Sequence, residues 1–222
     1  MDINKIKRYV FPLIESNMFA VFSRGSALII DPHISEQALH DLEKACIKNV
    51  VVLLTHEHYD HTSGVNWIGR LFPSTVICHR YTADSLREGK NNRPIVMATN
   101  CINDRDENIR TYIKTLPVGY TYQADRIFER ELRFSWQGHA IRLIHTPGHS
   151  PGSCCIEMDD NVVATGDSLL RDVRTITRFP GGSSDVYYKH TVPYLRALPE
   201  HTCILPGHGE VFTYSSETII SD

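Results

Sequence analysis

The chain is 222 residues long, which suits one domain of the larger kind with a proper core. A hydrophobic fraction of 41% and a charged fraction of 22% are those of a globular protein, and a formal net charge of −3 leaves no whole-protein field to draw it to nucleic acid or anionic lipid. The unusual count is 12 histidines, which directs attention to metal or proton chemistry.

Residues 1–8 are charged and hold no apolar run of signal-peptide length, and no later stretch approaches the length of a membrane span. Short strands are expected over 9–14 and 18–22, then a turn at 23–26 and an apolar run at 27–30 that ends on Asp31-Pro32-His33. Residues 35–48 have helical spacing, with Ala38, Leu42 and Ala45 on one side and Ser35 as the N-cap. Residues 50–54 form a continuous apolar run of the buried-strand kind, stopping at Thr55-His56-Glu57-His58-Tyr59-Asp60-His61. A short helix over 64–72 and a strand over 75–78 follow.

Residues 80–125 are the least regular stretch, with loop-like Asn91-Asn92-Arg93-Pro94 and Asn103-Asp104-Arg105-Asp106-Glu107-Asn108 around weak apolar segments. They are expected to be a helical or irregular insertion forming one wall of a pocket. From Ile127 strands return: 132–136, a turn at Gly138, 140–145, 153–158 and 162–164, the last ending at Thr165-Gly166-Asp167. Residues 185–198 have a helical pattern whose first turn is limited by Pro193, and a last strand over 203–205 ends at Pro206-Gly207-His208-Gly209. With no repeat, low-complexity tract or linker, 1–222 reads as one α/β domain.

Cys46, Cys78, Cys101, Cys154, Cys155 and Cys203 include no Cys-x-x-Cys pair. Disulfide frameworks belong to oxidising compartments, so free thiols in a reducing, cytoplasmic setting are expected, with Cys154 and Cys155 pointing to opposite faces of a strand.

Four polar clusters each follow an apolar strand: His56-x-His58-x-Asp60-His61, His149, Asp167 and His208. Ligand groups converge at strand ends in layered α/β folds. Two histidines one residue apart in an extended turn can face one ion while Asp60 and His61 face a second. Four such groups in six residues would repel when protonated and lack partners if buried without a metal. Imidazole and carboxylate donors suit zinc, and also iron or manganese.

Thr55-His56-Glu57-His58-Tyr59-Asp60-His61 resembles the T-H-x-H-x-D-H signature of the metallo-β-lactamase superfamily. Thr146-Pro147-Gly148-His149-Ser150-Pro151-Gly152, Gly166-Asp167-Ser168-Leu169 and Pro206-Gly207-His208-Gly209 follow in the family's order. The resemblance covers nearly the whole chain except 80–125. It implies an αββα sandwich with the site at one edge between the sheets and two ions, most simply Zn(2+). His56, His58 and His149 match the ligands of one ion, and Asp60, His61 and His208 those of the other. Asp167 matches the carboxylate bridging both, and Asp31 a position that supports the site.

The resemblance also implies a hydrolase in which a hydroxide between two metals attacks a small-molecule substrate, with Asp60 orienting it or passing a proton. It is closest to the glyoxalase II-like branch, which cleaves thioesters. Arg178-Phe179-Pro180-Gly181-Gly182-Ser183 looks like that branch's substrate-binding segment, so Arg171, Arg174 and Arg178 are candidates for a substrate carboxylate or phosphate. Tyr59, Tyr187 and Tyr188 are candidates to help bind a substrate carbonyl, with Tyr187 the one kept as a substrate-contact candidate, though packing is the better explanation of each. Only a short stretch follows His208, so the helical domain that completes the glutathione site in that branch is not expected, and the expected substrate is another thioester or an ester. A lactonase or small phosphodiesterase shares the ligand set, and a mononuclear iron persulfide dioxygenase is the alternative of a different class. True β-lactamases lack the bridging aspartate, flavin-coupled di-iron reductases carry glutamate where His58 stands, and nuclease branches add RNA-binding parts not seen here.

Overall fold

The protein is described from a computed structural model that covers residues 1–94 and 107–218, without the side chains of 107–110. Cys101 and the polar stretch 103–106 lie outside the described residues. The first sheet comprises β1 (Ile6–Val10), β2 (Asn17–Ser23), β3 (Ser26–Ile30), β4 (Asn49–Leu53), β5 (Ser74–His79) and β6 (Arg126–Phe128), in that spatial order. β1 to β3 are antiparallel, and β3 to β6 are parallel. The second sheet runs β12-β11-β10-β9-β8-β7, from β12 (Phe212–Thr213), β11 (Cys203–Pro206), β10 (Val162–Gly166), β9 (Cys154–Met158), β8 (His139–His145) and β7 (Glu131–Trp136). Its one parallel pair is β10 with β11.

The continuous apolar runs are explained by burial on both faces. On β3, Leu28 and Ile30 enter the core between the sheets, while Ala27 and Ile29 enter the layer beneath α1 (Glu36–Lys44). That outer layer also receives Val65 and Ile68 of α3 (Val65–Leu71) and Ala83 and Leu86 of α4 (Arg80–Leu86). Across the sandwich, Cys154 joins the inter-sheet core and Cys155 the outer layer with Val163, Ile204, Val192 and Leu195. The two adjacent thiols thus face opposite sides of β9, both free. Helices on both outer faces of two stacked sheets make the expected αββα sandwich.

Three boundaries differ from expectation. The strand placed at 9–14 is Ile6–Val10, because the chain turns at Phe11, whose N–H donates to Ser16 O at 2.8 Å. The helix placed at 35–48 ends at Lys44, where Cys46 takes φ 51° and Ile47 N–H reaches back to Leu42 O at 3.1 Å, a left-handed stop. The helix placed at 185–198 is split into α6 (Ser184–Val186), a wide turn over Tyr187–Thr191 and α7 (Val192–Arg196). Pro193 has no N–H to give the preceding turn, and Val192 N–H bonds to Tyr187 O five residues back. Among the described residues, no helix is long and apolar enough to cross a membrane.

Candidate metal centre

β4 ends at Leu53, and the motif after it runs into the single-turn helix α2 (Tyr59–Thr62). This places His58 in extended backbone at the N-cap of α2, His56 two residues before it, and Asp60 and His61 on the first turn of α2. His149 comes from the loop between β8 and β9, Asp167 directly follows β10, and His208 follows β11. The first sheet supplies four of the seven predicted ligands and the second supplies three, meeting at one edge of the sandwich.

Two groups form. His56, His58, His149 and Asp167 each offer an atom within 4.8 Å of the others, and so do Asp60, His61 and His208. Asp167 spans both groups: its Oδ2 lies 3.4 Å from His149 Nε2 and 3.5 Å from His208 Nε2, and its Oδ1 lies 3.5 Å from His61 Nε2. Asp60 Oδ2 lies 3.0 Å from His61 Nε2 and 3.4 Å from His208 Nε2. All seven residues converge.

The back of four of the five imidazoles is held by an acceptor. His61 Nδ1–H donates to Asp31 Oδ2 (2.9 Å), His149 Nδ1–H to Ile176 O (2.7 Å) and His208 Nδ1–H to Ile14 O (2.8 Å). Thr55 gives its hydroxyl hydrogen to Asp31 Oδ2 (2.5 Å), so its oxygen accepts from His56 Nδ1–H at 3.0 Å. These bonds aim the Nε2 atoms of the four rings inward. His58 instead presents Nδ1, 3.0 Å from His149 Nε2. His56 Nε2, His61 Nε2 and Asp167 Oδ1 are buried there with no aligned hydrogen-bond partner. Unpaired buried donor atoms are costly, and a cation is the group that would satisfy them, so the residues fit a bound metal.

Electrostatics divide the cluster. Burial holds His56, His58 and His149 neutral, with His58 pushed down to about 4. At the carboxylate-rich end burial opposes charge but is outweighed. The neighbouring imidazoles keep Asp60 and Asp167 well below the usual carboxylate range, and the carboxylates raise His61 and push His208 up to about 10.

Asp31, a candidate support, is 2% exposed and accepts from Thr55 N–H (2.7 Å), the Thr55 hydroxyl and His61. Arg174 and Arg178 are exposed on the loop after Asp167, as is Arg171. From the same loop the Phe179 ring meets His58 and His149 edge-on, with centroids 5.8 and 6.3 Å apart. Tyr187 corrects the expectation of substrate contact: it is 2% exposed, packs in the layer behind β9 to β11, and its hydroxyl donates to Ser168 O at 2.8 Å. Tyr59 also packs inward, donating to Pro117 O at 2.7 Å. Of the insertion, α5 (Glu107–Thr115) brings Tyr112 onto Phe11, in an apolar cluster with Tyr59 and Leu116 next to α2. Sequence reading missed Thr55 and the carbonyls of Ile14 and Ile176, since a carbonyl carries no side-chain signal. Phe179 was legible only as part of a loop motif.

Residues 12–208 match the family model of the metallo-beta-lactamase superfamily. A probable metallo-hydrolase of Bacillus subtilis, YqgX, is 25% identical over 198 residues, covering 88% of this chain and 86% of that protein. Among solved structures, the BLEG-1 B3 metallo-beta-lactamase superposes with TM-score 0.74 at 24% identity, covering 94% of this chain and 93% of that one. TTHA1623 in a di-iron-bound form gives 0.72 at 22% identity, covering 93% and 94%. These two likenesses concern the fold.

Proposed function

The chain belongs to the metallo-beta-lactamase superfamily, and from that premise we propose that it is a dinuclear metal-dependent hydrolase of a small thioester or ester. The observation that carries this reading is the convergence of seven donor residues, three of whose buried atoms have no aligned hydrogen-bond partner. His56, His58 and His149 would hold one ion, Asp60, His61 and His208 the other, and Asp167 both. An all-nitrogen-and-oxygen donor set suits Zn(2+), and iron or manganese also fit it. A fold neighbour bears two irons.

Bound divalent ions supply a water whose pKa falls from about 15.7 to about 7 and a positive seat for the oxygen that gains charge as the bond breaks. The chain's own groups do the rest. Asp167 keeps the two ligand groups at one spacing. Asp31, Thr55, Ile14 and Ile176 fix the imidazole tautomers, so no ligand must turn before an ion binds. Asp60, whose Oδ2 faces His61 and His208, would orient the attacking water or accept its proton. Phe179 walls one side of the centre with an apolar edge. Arg174 and Arg178 bring positive charge to the same loop for an anionic part of the substrate.

The test is reconstitution of metal-stripped protein with Zn(2+), Mn(2+) or Fe(2+), then assay on thioesters, lactones and phosphodiesters while oxygen is monitored. Hydrolysis that depends on metal and consumes no oxygen is expected, strongest on a thioester or ester. Oxygen uptake with a persulfide and iron would select the dioxygenase reading instead.

A further inference from the structure

We propose that Asn17 is the positioning residue for His208, holding the ligand turn of the second sheet from the first sheet and so governing retention of one cation. The inference rests on the reading of His208 as a metal ligand. Asn17 opens β2 and is 2% exposed. Its side-chain amide donates to Pro206 O at 2.9 Å and to Gly209 O at 2.8 Å, and its main-chain N–H donates to Gly207 O at 2.7 Å. One residue therefore takes the carbonyls on both sides of His208. The amide is oriented by Arg8, whose Nε–H donates to Asn17 Oδ1 at 2.9 Å while its guanidinium pairs with Glu210 beyond the turn. Both donors of this buried amide are thereby spent on gripping the turn, and its oxygen answers Arg8.

The neighbourhood makes that grip consequential. Ser16 bridges to His208, and Ile14 O holds His208 Nδ1, so the segment before β2 follows the ligand directly. On the other side the turn is tight against the centre. A Cβ at Gly207 would lie 2.0 Å from Asp167 Oδ1 and 3.0 Å from His61 Cε1. Without the two Asn17 side-chain donors the turn is free to relax away from the crowded side occupied by Asp167 and His61, which would carry His208 Nε2 from the ion it shares with Asp60 and Asp167. Partners that orient a metal ligand are worth about 10- to 100-fold in affinity.

The experiment titrates metal-free protein with Zn(2+) and counts ions per chain, in wild type, Asn17→Ala, Asn17→Ser, Arg8→Ala and His208→Ala, with circular dichroism melts alongside. Wild type is expected to take two ions. Asn17→Ala should lose affinity at the same ion as His208→Ala but to a smaller degree, keeping one ion near wild-type affinity and weakening the other about 10- to 100-fold, with its fold retained at 25 °C. Asn17→Ser, which keeps a short donor, carries the same test should the alanine variant fail to fold. Arg8→Ala should have a smaller effect in the same direction. Two tightly held ions in both Asn17 variants, or equal loss of both ions in step with unfolding, overturns this inference and leaves the metal reading standing. Wild type that takes no ion overturns the metal reading and this inference together.

Discussion

Asp31 illustrates how a residue's job depends on its neighbours rather than its motif. In sequence an Asp-Pro dipeptide is equally a turn former, and only the fold brings Thr55 and His61 to its two oxygens. It also sits at φ 52°, a costly backbone conformation that three hydrogen bonds hold in place. Asp31→Ala should therefore weaken metal binding about 10- to 100-fold, measured by competition with a fluorescent chelator. It should also lower stability by about 1–3 kcal/mol, because the Thr55 N–H is left buried and unpaired. The His56–His61 turn was legible because four donors in six residues have no cheaper explanation. Tyr187 was legible in sequence as either a substrate contact or a packing residue, and only the fold, which buries it behind β9 to β11, decides for packing. A pH effect follows at the same scale. Burial opposes the charge on His208, but Asp167 and Asp60 raise its pKa from 6.5 to about 10 in the ion-free chain. An ion must displace that proton, so binding should tighten as pH rises from about 6.5 towards 10 and weaken on acidification, as calorimetry in buffers of different ionisation heat would detect.

Among elements, the turns after the strands are constrained more tightly than the strands themselves. Gly148 takes φ 134°, and a Cβ there would lie 2.4 Å from Tyr187 Cβ, so the His149 loop is seated against the wide helical turn. Gly148→Ala should cost metal affinity and activity together, since the loop must move to admit the methyl group. Ser35→Ala at the N-cap of α1, whose hydroxyl accepts from Ala38 N–H at 3.2 Å, should cost about 1 kcal/mol of stability in urea melts while leaving metal content unchanged. The strands were largely legible because burial on both faces writes continuous apolar runs, as in 27–30 and 50–54. Their ends were not, since Phe11, Cys46 and the turn before Pro193 are set by single backbone conformations that hydrophobic period does not encode. The insertion was hard to read for a related reason: α5 packs Tyr112 against Phe11, in one apolar cluster with Tyr59, and both are distant in sequence.

On the scale of the whole molecule, the ligands divide between the sheets, so bound ions would staple the two halves of the sandwich at one edge. A ligand present at about 1,000 times its Kd adds about 4.1 kcal/mol of stability. In a chain of this size each kcal/mol moves Tm by about 2–4 °C. Chelation should accordingly lower Tm by roughly 10 °C, reversibly on re-addition of Zn(2+), by differential scanning calorimetry. The most direct measurement is the metal content of wild type and Asp167→Ala by mass spectrometry of the purified protein, with thioester hydrolysis assayed on the same samples. The account predicts two ions per chain and metal-dependent turnover in wild type, and loss of at least one ion with near-complete loss of turnover in Asp167→Ala. Full turnover in metal-free protein, or two ions and undiminished turnover in the variant, would contradict it.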